Sequence, residues 1–182
     1  MNINNFFLLL IIIMCPLFCH CEETTLPQIN PEPIHATQDT MTVQFTPPTG
    51  WLSADTKTLP KHVYYMVVGK GKREFPPSIN LGIAPFKGSL KDYLKIVKSI
   101  NDAQGIAWKD LGSIRTEAGM ASLSQVEMHT QWGEIKEMHV ILIKDGSAYI
   151  LTAAALKDEF PDFYKEFFKS MRSLRFEEIS KS

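Results

Sequence analysis

The sequence contains no cysteine after residue 21. The chain has 182 residues and three cysteines, Cys15, Cys19 and Cys21, all within its first segment. A body without thiols forms no intramolecular disulfide and offers no thiolate ligand to a metal ion. The spacing of the three cysteines matches no zinc motif. These absences exclude a disulfide-stapled fold and a cysteine-ligated metal centre.

The sequence also lacks an excess of charge of either sign. It has 19 Lys and Arg against 20 Asp and Glu, which gives a formal net charge of −1. Nucleic-acid-binding domains normally carry a strongly basic surface, so the composition predicts no nucleic-acid partner. The hydrophobic content of 45% and the aromatic content of 10% are typical of a single domain with a core, and we expect it to be a monomer.

Charged side chains are absent from residues 1–21, and residues 6–19 form an uninterrupted run of apolar residues and proline. This run of 14 residues is shorter than the roughly 18 that a membrane-spanning helix needs, and it matches the apolar region of a secretory signal peptide. We therefore expect residues 1–21 to be a signal peptide and the protein to be exported to the periplasm or envelope. Cys19 and Cys21 are candidates for lipidation, so a lipid-anchored form is the alternative to a soluble cleaved form.

The rest of the chain divides into a linker, one domain and a tail. Residues 22–40 contain several prolines and no hydrophobic periodicity, which predicts an extended linker. Residues 41–176 have the patterning of a folded domain, and residues 177–182 are polar and charged apart from one isoleucine. We expect an α+β domain with a central antiparallel sheet and helices on both of its faces.

The strand pattern supports a sheet that is covered on both sides. Strands are predicted at residues 41–45, 62–68, 78–85, 120–130, 135–143 and 147–155. The Asp145-Gly146 pair favours a two-residue hairpin turn, so the last three strands form an antiparallel meander. Within them, Ile141 and Ile143 lie on one face and Val140 and Leu142 on the other, which indicates burial of both faces.

Two amphipathic helices complete the domain. Ser89 caps the first, which ends near Gly105 and presents lysines to solvent. The second carries an apolar stripe that we assign to the core, together with Trp51 near the start of the domain. The members of the stripe are Phe160, Phe163, Tyr164, Phe167 and Met171.

Catalytic motifs are missing from this pattern. No Gly-x-Ser-x-Gly motif occurs, and the histidines on predicted strands show no paired spacing. We therefore expect a protein that is not an enzyme and that uses no cofactor. Two alternatives remain open: a carrier that holds a small apolar ligand between the sheet and the last helix, and a metal-binding protein that uses Glu127, His129 and His139.

A basic loop after the second predicted strand is the candidate partner-binding site. Lys70, Lys72 and Arg73 are followed closely by Phe75. The glycines lack the spacing of a phosphate-binding loop, and Pro76-Pro77 follow where that motif has a helix. Clustered cations beside an exposed aromatic ring would bind an acidic protein surface.

The order of these elements resembles the PsbP-like superfamily of exported proteins, which includes PsbP-type and DcrB-type members. The resemblance spans residues 41–176, and the residues that carry it are Phe45, Pro48, Gly50, Trp51, Tyr149, Leu151, Thr152, Ala153, Phe160, Phe167, Ser170 and Phe176. It implies an α/β/α sandwich and a non-catalytic role in binding or assembly. The expected function is an exported partner-binding protein of the bacterial cell envelope.

Removal of a signal peptide during export shortens the chain, and the mass of the protein reports this change. We predict that the mature protein begins between Cys19 and Glu23. The mass of the protein purified from the envelope gives its first residue, and an added diacylglycerol on Cys19 or Cys21 identifies the lipid-anchored form. A mass that includes Met1 would contradict cleavage.

Overall fold

The computed structural model describes residues 36–38 and 41–178. Over these ranges the chain forms ten strands and two α-helices. The strands are β1 (Ala36–Gln38), β2 (Met41–Gln44), β3 (Leu52–Ser53), β4 (Val63–Val68), β5 (Ser78–Pro85), β6 (Ala107–Thr116), β7 (Gly119–Thr130), β8 (Gly133–Lys144), β9 (Ser147–Leu156) and β10 (Arg175–Glu178). The helices are α1 (Leu90–Ala103) and α2 (Phe160–Arg172), and a short 3-10 helix covers Thr56–Thr58.

Seven strands form the main sheet, in the order β3-β4-β5-β9-β8-β7-β6. All neighbouring pairs in this sheet are antiparallel. A second sheet of three strands has the order β1-β2-β10 and joins the two ends of the domain. The predicted α+β class with a central antiparallel sheet is confirmed.

The β8–β9 hairpin lies at the centre of the main sheet and turns where the sequence predicts. Asp145 has φ 47° and Gly146 has φ 74°, so both residues of the turn adopt the left-handed conformation that a two-residue hairpin requires. The register that follows pairs Lys144 with Ser147 and continues without interruption to Ile135 and Leu156. This turn therefore fixes which side chains of β8 and β9 point to each face.

Each face of the sheet packs against a different helix. Val140, Leu142 and Leu151 lie in one core together with Phe167 and Met171 of α2. On the other face, Ile141 and Ile150 lie in a smaller core whose further members include Tyr93 and Val97 of α1. The predicted two-sided burial of β8 is thus confirmed, and β9 is buried along its whole length.

Helix boundaries follow the capping residues. The Ser89 hydroxyl accepts a hydrogen bond from the backbone N–H of Asp92, and α1 ends at Ala103, two residues before Gly105. In α2, Pro161 lies in the first turn, where its missing N–H costs nothing. Tyr164 corrects the prediction for this helix: its side chain is 49% exposed because it lies on the flank of α2 rather than on the face that meets the sheet.

Three further predictions need correction. Residues 36–38 of the predicted linker form β1, because their backbone pairs with β2. The predicted tail contributes Glu177 and Glu178 to β10. β6, with mostly exposed residues, was not predicted because an edge strand has little apolar alternation.

The predicted signal peptide, Cys19 and Cys21 lie outside the described residues. Neither helix in the described part of the chain combines the length and the apolar character that crossing a membrane requires.

The α2-side core makes a mutational prediction. Phe167 is fully buried and meets the partly buried Trp51 edge-on, with 5.9 Å between ring centroids. Phe167→Ala should therefore lower the free energy of unfolding by about 3–5 kcal/mol, as for other buried aromatic residues. Tyr164→Ala on the same helix is the matched control and should cost less than about 1 kcal/mol. Chemical denaturation measures both, and equal losses would contradict the assignment of faces.

Candidate functional site

The predicted partner-binding loop, residues 69–77 between β4 and β5, is tied to the start of α2. The Lys72 ammonium lies 2.7 Å from an Asp162 carboxylate oxygen. The Arg73 Nε donates a hydrogen bond to Glu159 over 3.1 Å, and its guanidinium also pairs with Asp158. The hydrogen bond that Lys72 donates to Asp162 raises the pKa of Lys72, and the one that Arg73 donates to Glu159 raises the pKa of Arg73. These two cations therefore remain charged and are paired with carboxylates of the same chain.

Phe75 does not have the exposure that the sequence suggested. Its side chain is 4% exposed and packs in a small core with Ile135 and Leu156. The Trp132 ring covers it, with 5.7 Å between the ring centroids. The expectation of an exposed aromatic ring beside the cations is wrong, because the ring packs against apolar side chains at the end of the sheet. Lys70 is exposed and has no ion pair among the described residues, so it is the cation that this loop still offers to a partner.

The histidines of the alternative metal site do not meet. Glu127 pairs with Lys136, and His129 with Glu134, so both lie on the α2 side of the sheet. His139 lies on the α1 side, because it is an odd number of residues from Lys136 on the same regular strand. Among residues 36–38 and 41–178, no three His, Cys, Asp or Glu side chains form a metal-binding group. The alternative built on these three residues is therefore wrong.

Glu137 and His139 form a buried ionisable pair on the α1 side. They are 5% and 4% exposed, and Glu137 Oε2 lies 3.4 Å from His139 Nε2 without the alignment of a hydrogen bond. His139 Nδ1 shares a hydrogen bond of 3.1 Å with the Thr152 hydroxyl. Burial raises the pKa of Glu137 to about 8 and lowers the pKa of His139 to about 4, so both are mainly uncharged near neutral pH.

A groove opens at one end of the sheet. It has a volume of about 610 Å³ and is lined by residues 104–107, which follow α1, and residues 127–132, at the β7–β8 turn. Ile106, Met128 and Trp132 give it apolar walls. The groove has the size and the mixed lining of a small-molecule site.

The exposed flank of α2 carries an aromatic stripe. Tyr164 and Phe168 contact each other with 4.4 Å between ring centroids. The Arg172 guanidinium lies over the Phe168 ring, 5.8 Å from its centroid. The spacing of four residues between neighbours places all three on one side of the helix. We call these three residues the α2 flank.

Sequence reasoning missed three of these features. The i, i+4, i+8 spacing of Tyr164, Phe168 and Arg172 is visible in the sequence, and the final arginine signals a stripe that reaches solvent. Glu137 is visible as a carboxylate that alternates with Ile141 on one face of a buried strand. The groove depends on how residues 104–107 approach the β7–β8 turn, and no local pattern predicts that approach.

Comparison with known proteins identifies the fold. No model of a known protein family matches the sequence, and a comparison with curated proteins finds no match. Among solved structures, cyanobacterial PsbP (CyanoP) from Synechocystis has a TM-score of 0.50 at 15% identity, covering 89% of this chain and 99% of that chain. LpqN, involved in cell envelope biogenesis of Mycobacterium tuberculosis, has a TM-score of 0.55 at 14% identity, covering 80% of this chain and 89% of that chain.

The two solved structures and the sheet topology described above indicate the same fold. The chain is an α+β protein whose central antiparallel sheet is covered by a helix on each face. More specifically, it has the PsbP-like fold, and the expectation drawn from its sequence is confirmed at the level of fold.

The Glu137–His139 pair makes a pH prediction. The folded protein binds the Glu137 proton more tightly than the unfolded chain does, because the pKa of Glu137 is raised in the folded state. The contribution of this group to the free energy of unfolding is therefore fully present below pH 4.5 and is lost as pH rises towards about 8. Glu137→Gln should therefore gain stability relative to the parent protein as pH rises through this range. His139 acts in the opposite direction, because its pKa is lowered in the folded state. Its contribution to the free energy of unfolding is fully present above pH 6.5 and is lost as pH falls towards about 4.

Glu134→Gln on the same strand is the matched control. The hydrogen bond from Lys157 lowers the pKa of Glu134, so this variant should lose stability relative to the parent above pH 4.5. Thermal unfolding between pH 4 and pH 9 measures both variants. A pH-independent difference for Glu137→Gln would show that this carboxyl is solvated in the folded protein.

Proposed function

We propose that this chain is an exported, non-catalytic protein that binds a protein partner in the bacterial cell envelope. The observation that carries the proposal is the α2 flank, where Tyr164, Phe168 and Arg172 form one partly exposed stripe on a helix whose other face is anchored in the core.

The composition of the α2 flank suits an interface. Tyrosine and arginine are enriched among the residues that contribute most to protein–protein affinity. Tyr164 is 49% exposed, and its ring is held against Phe168. A side chain that is already ordered loses little conformational entropy when a partner covers it. The flank therefore offers apolar contact area and a cation at a low ordering cost.

The anchoring of α2 supports the same role. Lys72 and Arg73 bind three carboxylates at the start of the helix, and Phe160 and Phe167 hold it on the sheet. A rigid helix presents its flank in one orientation, which favours specific docking. Lys70, exposed in the adjoining loop, adds a charge that can speed the encounter with an acidic partner.

The envelope location rests on two supports. The apolar, uncharged residues 6–19 are typical of an export signal. LpqN, which has the same fold, is involved in cell envelope biogenesis. Cleavage with or without lipidation at Cys19 or Cys21 would place the domain on the outer side of the inner membrane, where an envelope partner is accessible.

Site-specific crosslinking tests the proposal. The photo-crosslinking amino acid p-benzoylphenylalanine replaces Tyr164 in the protein produced in its native cells. Irradiation should give one discrete crosslinked species in the envelope fraction, because the partner covers this position.

Tyr64 is the matched control position. It is also a tyrosine, is 47% exposed and lies on β4, outside the α2 flank. The same replacement at Tyr64 should give no discrete crosslinked species. Equal crosslinking at both positions, or none at Tyr164, would contradict a docking role for the flank.

A further inference from the structure

Helix α1 crosses its face of the main sheet diagonally and leaves one corner of that face open. The helix begins after β5, whose last residue Pro85 pairs with Ser147. It leads into β6, whose first residue Ala107 pairs with Glu127 at the opposite end of the sheet. The end of β6 and the start of β7 therefore lie beside α1 rather than beneath it, and Met120 at the start of β7 is 55% exposed.

The open corner places a cation next to apolar side chains. Arg115 is exposed and pairs with Met120 across β6 and β7. Their neighbours Ile114 and Ala121 belong to the core on the α2 side, so Arg115 and Met120 point to the α1 side. The β7–β8 register, continued by one row, places Ile143 opposite Met120, and Ile143 is partly buried against the α1-side core.

Helix α1 adds two lysines to this corner. Leu94 is partly buried against the α1-side core. Lys91 precedes it by three residues and Lys98 follows it by four, so all three lie along one side of the helix. Both lysines are exposed and have no ion pair among the described residues. Lys95, the lysine between them, is paired with Asp92 over 3.6 Å.

Together these residues form one surface, which we call the basic patch. Its members are Lys91, Leu94, Lys98, Arg115, Met120 and Ile143. Within the described part of the chain, none of its three cations is paired with a carboxylate. The patch therefore offers three positive charges around an apolar centre.

The composition of the basic patch favours a phospholipid surface over a protein. High-affinity protein interfaces are centred on tryptophan, tyrosine and arginine, whereas the patch has no aromatic residue and one arginine. A lysine ammonium binds phosphate as a point charge and needs no fixed partner geometry. Surfaces that bind at the membrane interface combine such cations with apolar side chains that enter the head-group region. Charge complementarity thus selects an anionic phospholipid bilayer.

We propose that the basic patch binds the surface of a bilayer that contains anionic phospholipids, with Lys91, Lys98 and Arg115 at the phosphates and Met120 in the head-group region. The α2 flank belongs to the helix on the opposite face of the sheet, so a domain bound in this way leaves that flank accessible. Lipid binding and partner docking are separate properties, and either can fail without the other.

Quenching of an introduced indole shows whether this corner touches a bilayer. Full-length protein with Met120→Trp is mixed with vesicles of brominated phosphatidylcholine, with or without phosphatidylglycerol as about a third of the lipid. Bromine quenches an indole that it contacts, so the emission should fall only with phosphatidylglycerol present. Residues 1–21 are the same in both mixtures, so the comparison isolates the effect of lipid charge. Sodium chloride at about 0.5 M should reverse the quenching, because salt screens the attraction.

Leu52→Trp is the matched control for position. Leu52 is 60% exposed and lies on β3, at the opposite edge of the main sheet from β6. Its indole should show no phosphatidylglycerol-dependent quenching. The parent protein, with its three native tryptophans, gives the background emission for both variants.

Two pairs of lysine substitutions test the role of charge in the Met120→Trp protein. Lys91→Gln combined with Lys98→Gln should remove most of the phosphatidylglycerol-dependent quenching, because each lysine at a membrane surface contributes about fivefold in affinity. Lys57→Gln combined with Lys61→Gln removes the same charge from exposed positions outside the patch, and it should leave the quenching unchanged. Far-ultraviolet circular dichroism confirms that each variant is folded before it is measured.

Several results would overturn the proposal. They are equal quenching with the two lipid mixtures, equal responses of Met120→Trp and Leu52→Trp, and equal effects of the two lysine pairs. Absent quenching, together with a discrete protein adduct when p-benzoylphenylalanine replaces Met120 in native cells, would also overturn it and assign the basic patch to an acidic protein.

Discussion

Burial of β9 on both faces is the constraint on which the rest of the structure depends. All ten of its residues are buried, and it pairs with β5 on one side and with β8 on the other. A strand in this position must have apolar or small side chains on both faces, which explains the run of alanines at 153–155. Because α2 covers one face and α1 the other, the two helices are fixed relative to each other through this strand.

Because both faces of the central sheet are covered, binding surfaces must lie at the edges of the fold. The main sheet has no large open face where the helices lie, so ligands and partners must meet helix flanks, loops or the ends of the sheet. The α2 flank and the groove after α1 are two such places. The β4–β5 loop is a third, but two of its three cations are used to hold α2. The fold thus uses part of its surface charge for internal structure.

Patterns that act over short distances allowed much of the fold to be predicted. The Asp145-Gly146 turn, the Ser89 cap and the two-sided β8 all follow from local rules, and each is confirmed. β6 and β1 were missed because edge strands depend on pairing with distant segments. The exposure of Phe75 was predicted wrongly because its burial depends on Trp132, 57 positions further along the chain.

The candidate sites were harder to predict than the fold for the same reason. Tyr164 was assigned to the core because a helical repeat alone does not locate the edge of the buried face. Arg73 was assigned to a partner because its carboxylates, Asp158 and Glu159, are remote in sequence. The groove requires the end of α1 and the β7–β8 turn to be adjacent, and this adjacency exists only in the assembled sheet.

A direct comparison of the two candidate partner surfaces tests the central claim that the α2 flank is the binding face. Affinity-tagged Tyr164→Ala and Lys70→Glu variants are produced in native cells, and the amount of the co-purified envelope partner is quantified for each against the parent protein. The account predicts a loss of about tenfold or more for Tyr164→Ala and a small change for Lys70→Glu, because exposed rim charges contribute less to affinity than aromatic anchors. Undiminished recovery with Tyr164→Ala together with loss of the partner in Lys70→Glu would contradict the account and assign binding to the β4–β5 loop.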